Sequence, residues 1–326
     1  MHLDQATLSM LPKSLTLLRG FISYCNDHNV KFLAQSGGNG WADTLDLGED
    51  GVIVNLRGLN SIVFNDVNEQ VTLGGGTING ELTDASLANG KQARGNFGAV
   101  ISVTMNTFPL INNGVIWAGE LIFSGEKLER LVDTLNDLHL TAEMSLLLGF
   151  SFREDGPVIT AQASYTSSNP EDGRTAFRAL YNLDPDQDTT ELLDYDHINE
   201  DTEFLCEDGG RKPGCSTGLR TFDYPTSQVI WDEFVTSVNG TGLDGTTILI
   251  ECYSNDVLRD IGSEHASYAN REIEYYAWIL FGYAEKESDA LAESFGSRVR
   301  ALWRSASGSE QQRTYVHSLW RPFDVS

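Results

Sequence analysis

Three glycine clusters, each set against a short apolar run, constrain the N-terminal third of this chain more than any other feature. Phe32-Leu33-Ala34-Gln35 runs into Ser36-Gly37-Gly38-Asn39-Gly40-Trp41, Gly74-Gly75-Gly76-Thr77 follows a second run, and Arg94-Gly95-Asn96-Phe97-Gly98 precedes a third. Glycine lacks Cβ, so the backbone turns tightly there and admits close neighbours. Short runs rich in Val, Ile, Leu or Phe predict strands at Lys31–Gln35, Val52–Leu56, Ser61–Asn65 and Gln70–Leu73. Pro12 and Ser14 supply a helix start, and Leu18, Phe21, Ile22 and Cys25 follow with helical spacing until about Asn29. A second helix is expected from Ile78 to Leu87, before the turn at Asn89-Gly90, and a strand from Ala99 to Phe108 closes the region. The pattern is that of an α+β unit.

The second region opens with a strand at Val115–Phe123. Leu128, Leu131, Val132, Leu135 and Leu138 then line one face of a helix, with Ser124 as its expected N-cap. Strands are predicted at Glu143–Phe150, Pro157–Tyr165, Thr246–Tyr253 and Ile273–Phe281, and helices at Glu171–Tyr181, Ser227–Val238 and Ser288–Ser305. This order implies an antiparallel sheet covered by helices on one face. The organisation expected is therefore two domains, residues 1–110 and 111–326.

Charge excludes some partners. Forty-seven acidic against 22 basic residues give a net charge of −25, a field that repels phosphate backbones and anionic bilayers, so neither nucleic acid nor membrane is expected as a partner. No apolar run approaches the roughly 20 residues of a membrane span. The start Met1-His2-Leu3-Asp4-Gln5 lacks a basic segment and an apolar segment, so the chain as written is expected in the cytoplasm; a longer native N-terminus would allow secretion. Eleven carboxylates and no Lys or Arg lie between Leu183 and Asp208, a composition expected of a solvated mobile loop. Cys206 and Cys215 flank a turn-rich stretch that could close as a disulfide in an oxidising compartment, and Asn239-Gly240-Thr241 is a glycosylation tripeptide pointing the same way. The four cysteines and six histidines show no metal-ligand spacing, so no metal is expected.

The glycine clusters suggest chemistry. Successive backbone N–H groups in the Ser36–Gly40 turn can converge on an anion such as a pyrophosphate, and so can those of Gly74–Thr77 at the start of a helix, although ordinary glycine turns would look the same. In this order the stretches resemble the FAD-binding domain of the vanillyl-alcohol-oxidase or PCMH-type flavoproteins, in particular the fungal relatives of berberine bridge enzyme. The resemblance includes Gly51-Val52-Ile53-Val54-Asn55-Leu56-Arg57-Gly58-Leu59-Asn60, Val71–Gly76 and Gly95–Gly98. It continues through Ile250-Glu251-Cys252-Tyr253, Tyr268-Ala269-Asn270-Arg271 and Trp278. It implies FAD as cofactor, held by Ser36, Gly37, Gly38, Asn39, Gly40, Gly75, Gly76, Asn96, Phe97 and Gly98. A small molecule is the implied substrate.

Two departures qualify what the resemblance implies. Asn39 stands where many members carry the histidine that bonds covalently to the flavin, so FAD, if bound, is expected to be non-covalent. Only Lys91-Gln92-Ala93 lie between Gly90 and Arg94, where the family has a long central segment, and the family's N-terminal strands and C-terminal tail are also missing, so a truncated FAD domain is expected. Flavin oxidation needs a group to take a proton. Glu251 is nominated because it sits on a strand that faces the substrate in similar enzymes; Tyr253 and Tyr275 are further catalytic candidates. Arg271 is expected to have a structural hydrogen-bonding role, with Asn270 where relatives have histidine. The function implied is FAD-dependent oxidation of an alcohol, sugar or specialised metabolite with oxygen as acceptor. The alternatives are a flavin-free metabolite-binding or cyclase-like protein and an inactive truncated product.

Overall fold

In a computed structural model, residues 8–38, 47, 50–67, 69–89, 91, 92, 101–166, 169–198, 209–262 and 270–308 are described, and the chain divides into two units, Met1–Gly114 and Val115–Ser326. The first unit follows the order β1 (Leu8–Met10), α1 (Leu15–Asp27), β2 (Phe32–Gln35), β3 (Val52–Asn55), β4 (Ile62–Asn65), β5 (Gln70–Gly74), α2 (Asn79–Ala88), β6 (Lys91–Gln92), β7 (Ser102–Asn106) and β8 (Phe108–Pro109). Strands β1, β3 and β2 form a parallel sheet in that spatial order, with β3 central. The Ser14 side chain accepts from Leu17 N–H and caps α1, which lays Leu18 against Val54 and Leu56. A separate antiparallel sheet, β4-β5-β7, packs Ile62, Phe64 and Met105 with Val71 and Leu73 against Leu82 of α2.

The second unit runs β9 (Val115–Phe123), α3 (Leu128–Asp137), β10 (Met144–Arg153), β11 (Gly156–Tyr165), α4 (Gly173–Ala176), α5 (Arg178–Tyr181), β12 (Gln187–Asp188), β13 (Glu191–Asp194), β14 (Gly214–Leu219), α6 (Tyr224–Val238), β15 (Thr247–Tyr253), α7 (Asp256–Asp260), β16 (Tyr275–Leu280) and α8 (Asp289–Ala306). Its sheet has the order β12-β9-β11-β10-β15-β16-β14, and β13 also pairs with β9. Alternation sorts the residues onto two faces. Leu121, Ala161, Leu148, Ile250 and Ala277 stand in register across five strands, and their face packs against Leu131 of α3, Phe234 of α6 and Phe295 of α8 in one continuous core. The α+β class and the helix-covered antiparallel sheet agree with the sequence reading.

Phe234 shows how much this core contributes. It is fully buried and meets the rings of Phe150, Phe152 and Trp231 at 6.2, 5.1 and 6.2 Å. Phe234→Ala is expected to destabilise the second unit by about 3–5 kcal/mol, read as a lower denaturant midpoint, since the neighbouring strands cannot collapse into the space.

Several local expectations are corrected. Ser124 makes no side-chain cap; a 3-10 turn at Gly125–Lys127 precedes α3, and the Ser124 N–H instead donates to Asp186 at 2.7 Å. The helix expected at Glu171–Tyr181 breaks into a 3-10 turn, α4 and α5. The acidic stretch is not simply a solvated loop: β12 and β13 pair with β9, Asp186 binds Lys127 at 2.9 Å and Asp188 binds Arg174 at 2.7 Å. These cations come from outside the run, so its own composition could not reveal them. Cys215 is a free, buried thiol on β14, donating to the Gly296 carbonyl, rather than half of a disulfide loop. Cys206 lies outside the described residues.

Candidate functional site

The first glycine turn sits where a parallel sheet accepts ligands. Ser36, Gly37 and Gly38 follow the carboxyl end of β2, the end at which open parallel sheets bind their ligands. Gly38 has φ +79°, a conformation that disfavours an L side chain, and the Ser36 hydroxyl donates to the Thr77 carbonyl at 3.4 Å. The fold thus brings the first two glycine clusters together. Asn39, Gly40, Asn96, Phe97 and Gly98 lie outside the described residues.

The second cluster works differently from the sequence expectation. The N–H groups of Gly74, Gly75, Gly76 and Thr77 donate to the carbonyls of Ser61, Ile101, Leu59 and Gly74, respectively, at 2.7–3.1 Å. They are already occupied, so the amides of Gly75 and Gly76 are not donors to an anion here. The glycines serve packing instead: a Cβ at Gly74 would lie 2.0 Å from the Leu59 carbonyl oxygen, and one at Gly76 would lie 1.9 Å from that of Leu56. The start of α2 is occupied as well, because Glu81 accepts from Ile78 N–H at 3.1 Å. Arg57 grips Glu81 with both terminal nitrogens, at 2.8 and 2.6 Å, and donates to the Gly76 carbonyl. Arg57 holds the Glu81 carboxyl down at about 2, chiefly through these hydrogen bonds. The anion at this helix start is the protein's own carboxylate.

In the second unit, β15 presents Ile248, Ile250 and Cys252 to the helices and Leu249, Glu251 and Tyr253 to the opposite face. Glu251 is flanked across the ladder by Leu147 on β10 and Tyr276 on β16. Burial pushes its carboxyl up, and a hydrogen bond from Tyr253 pulls partly the other way. The same row continues to Gln162 on β11 and Glu120 on β9, whose carboxylate is paired with Arg153 at 2.9 Å.

Tyr275 is separated from this constellation. It pairs with Cys252, packs on the helix-covered core and donates to the Asn136 side chain at 3.3 Å. Burial, then the nearby Cys252 and Glu274, push its phenol up to about 12. The tyrosine on the Glu251 face is Tyr276, which sequence reasoning missed. The signal was present in the alternation of Ala277 and Ile279, both apolar, with the amphipathic Tyr276 and Trp278.

A cavity of about 90 Å³ opens at the end of β15, lined by Leu135, Cys252, Tyr253, Asn255, Arg259 and Tyr275 among others. Internal pairs close its polar rim: Arg259 and Asn255 donate to Glu274, and His139 faces Asp256 at 3.3 Å. Arg271 donates to the Leu258 and Ile261 carbonyls, holding the end of α7, which is the structural role expected of it.

Residues 6–118 match the FAD binding domain family. Among curated proteins, the FAD-linked oxidoreductase chry5 of Gibberella zeae is 21% identical over 376 residues, covering 91% of this chain and 74% of that protein. The FAD-linked oxidoreductase hasG of Aspergillus fumigatus is 22% identical over 217 residues, covering 63% of this chain and 45% of its own length. The chain thus carries an FAD binding domain over residues 6–118 and is similar along most of its length to FAD-linked oxidoreductases. The chry5 alignment is longer than this chain, so that relative carries residues inside the matched span without counterpart here. The fold is shared with the carbohydrate oxidase from Microdochium nivale (TM-score 0.77, 13% identity, 95% of this chain and 82% of that one). It is also shared with Physcomitrella patens BBE-like 1 (TM-score 0.75, 11% identity, 96% and 84%).

FAD is therefore the cofactor of this family's binding domain. The Ser36–Gly38 turn stands at the ligand-binding end of β2, whereas the amides of the Gly74–Thr77 turn are bonded within the chain. Among the described residues, no helix is long and apolar enough to cross a membrane.

Proposed function

We propose that this protein is an FAD-dependent oxidoreductase acting on an alcohol, sugar or specialised metabolite, with Glu251 taking the substrate proton and oxygen as the electron acceptor. The observation that carries the reading is Glu251 itself, a half-buried carboxylate on the sheet face away from the helices, with a tyrosine as its hydrogen-bond donor and no ion-pair partner among the described residues. Its counterpart on the same row, Glu120, is tied to Arg153 and is less available as a base. A bound flavin supplies hydride acceptance. Glu251 supplies the place for the proton, and its raised proton affinity brings the carboxyl closer to the neutral range in which a general base works best.

The Ser36–Gly38 turn is proposed to hold FAD without a covalent bond, because Asn39 offers no nucleophile in place of histidine. A flavin-free metabolite binder is the second reading, favoured by the internally bonded amides of Gly74–Thr77. One titration separates the two. Added FAD is expected to give a structured visible flavin band that travels with the protein and is released by denaturant. A folded chain that stays colourless in excess FAD selects the flavin-free reading.

A further inference from the structure

We infer that Tyr253 is the positioning residue of the Glu251 carboxylate, fixing it on the sheet face through a phenol-to-carboxylate hydrogen bond, and that Tyr275 has no part in it. The inference rests on the proposed role of Glu251. Residues two apart on a strand point to the same side, about 7 Å apart along the chain, and a phenol spans that gap to a neighbouring carboxylate. Tyr253 is 51% exposed, so its ring stands at the solvent margin of the site while Glu251 lies further in.

The flanking strands set the rest of the environment of Glu251. Leu147, the cross-strand neighbour on β10, offers no polar group, and beyond it on the same row stand Gln162 and the Glu120–Arg153 pair. On the other side β16 places Tyr276 opposite Glu251, while Glu274 at its beginning is held by Arg259. Cys252 points to the helix side, its thiol pushed up to about 12 by burial and therefore neutral. Without the Tyr253 hydroxyl, the half-buried carboxylate loses this side-chain donor, and the charged form loses more than the neutral one. The sign follows: Tyr253→Phe makes Glu251 hold its proton to higher pH.

The test is a carbon-detected NMR titration of the full chain with ¹³C-labelled glutamate carboxyls, the Glu251 signal being identified by its loss in Glu251→Gln. Tyr253→Phe is expected to move the Glu251 midpoint upward, and Tyr275→Phe to leave it in place. An unmoved midpoint in Tyr253→Phe, or an equal movement in Tyr275→Phe, overturns the inference. Tyr253→Asn, which keeps a short donor at this half-exposed position, is expected to fall between the parent and Tyr253→Phe, and serves as the second variant if the phenylalanine form does not fold. The readout needs neither flavin nor turnover. Absence of oxidase activity would therefore sink the proposed function while leaving the Tyr253–Glu251 coupling measurable, and an unmoved midpoint in an active enzyme would sink only the coupling.

Discussion

Glu251→Gln is expected to lower turnover by about 10²–10⁴-fold, the range a positioned general base contributes, while leaving the flavin spectrum of the loaded protein in place. The glutamine keeps the shape of the side chain and cannot accept the proton. Loss of the spectrum together with activity would point to a structural role for Glu251, and unchanged turnover would remove it from the mechanism.

The same substitution has a stability signature of opposite sign. Burial raises the folded-state proton affinity of Glu251 above that of the unfolded chain, so the protonated form favours the fold. That contribution is complete below the unfolded glutamate range, at about pH 4.3, and is lost as pH rises through the folded value. At neutral pH the ionised carboxylate therefore costs stability that a neutral glutamine does not. Glu251→Gln is expected to melt higher than the parent at pH 7 and to lose that advantage near pH 4, measured by thermal denaturation at both values. A residue that destabilises its own fold in its ionised state is more readily understood as retained for chemistry than for packing.

Gly76→Ala is expected to destabilise the first unit by roughly 3 kcal/mol, with or without FAD, because the new methyl group would meet backbone that has little room to move. The added Cβ lands 1.9 Å from the Leu56 carbonyl oxygen, at the start of the 3-10 turn Leu56–Leu59. Gly76 N–H donates to the Leu59 carbonyl and Gly76 O accepts from Arg57, so moving the strand end away breaks both bonds. Had Gly76 served only to let a pyrophosphate approach, the flavin-free protein would tolerate alanine and only FAD affinity would fall. Thermal unfolding of the flavin-free variant decides between these roles: a melting temperature equal to the parent's would restore Gly76 to the cofactor site.

The same glycine shows where sequence reading stops. Gly74-Gly75-Gly76 announces a close approach of backbone to something, and the structure supplies a neighbouring turn rather than a ligand. Adjacent tyrosines pose a similar problem. Tyr275 and Tyr276 are chemically alike, and only the pairing of Glu251 with Tyr276 decides which of them shares its face, since a slip of one residue exchanges the two sides of a strand. Strand β14 escaped notice because Gly214-Cys215-Ser216-Thr217-Gly218-Leu219 has little of the apolar β-branched character of a central strand. It is nonetheless buried along its length, and Gly218 leaves room for the Ile273 side chain, 2.8 Å from where a Cβ would be.

What the sequence by itself determined is whatever depends on neighbours along the chain: the amphipathic stripes of α1 and α3, the positions of most strands, the glycine turns and the family they resemble. Pairing partners, strand faces, the ion pairs that order Asp186 and Asp188, and the occupied amides of Gly74–Thr77 were decided only by the tertiary structure. The physical reason is that periodicity and turn preference are written in short-range sterics, whereas whether a carboxylate is buried or an amide already bonded depends on groups brought together from distant parts of the chain.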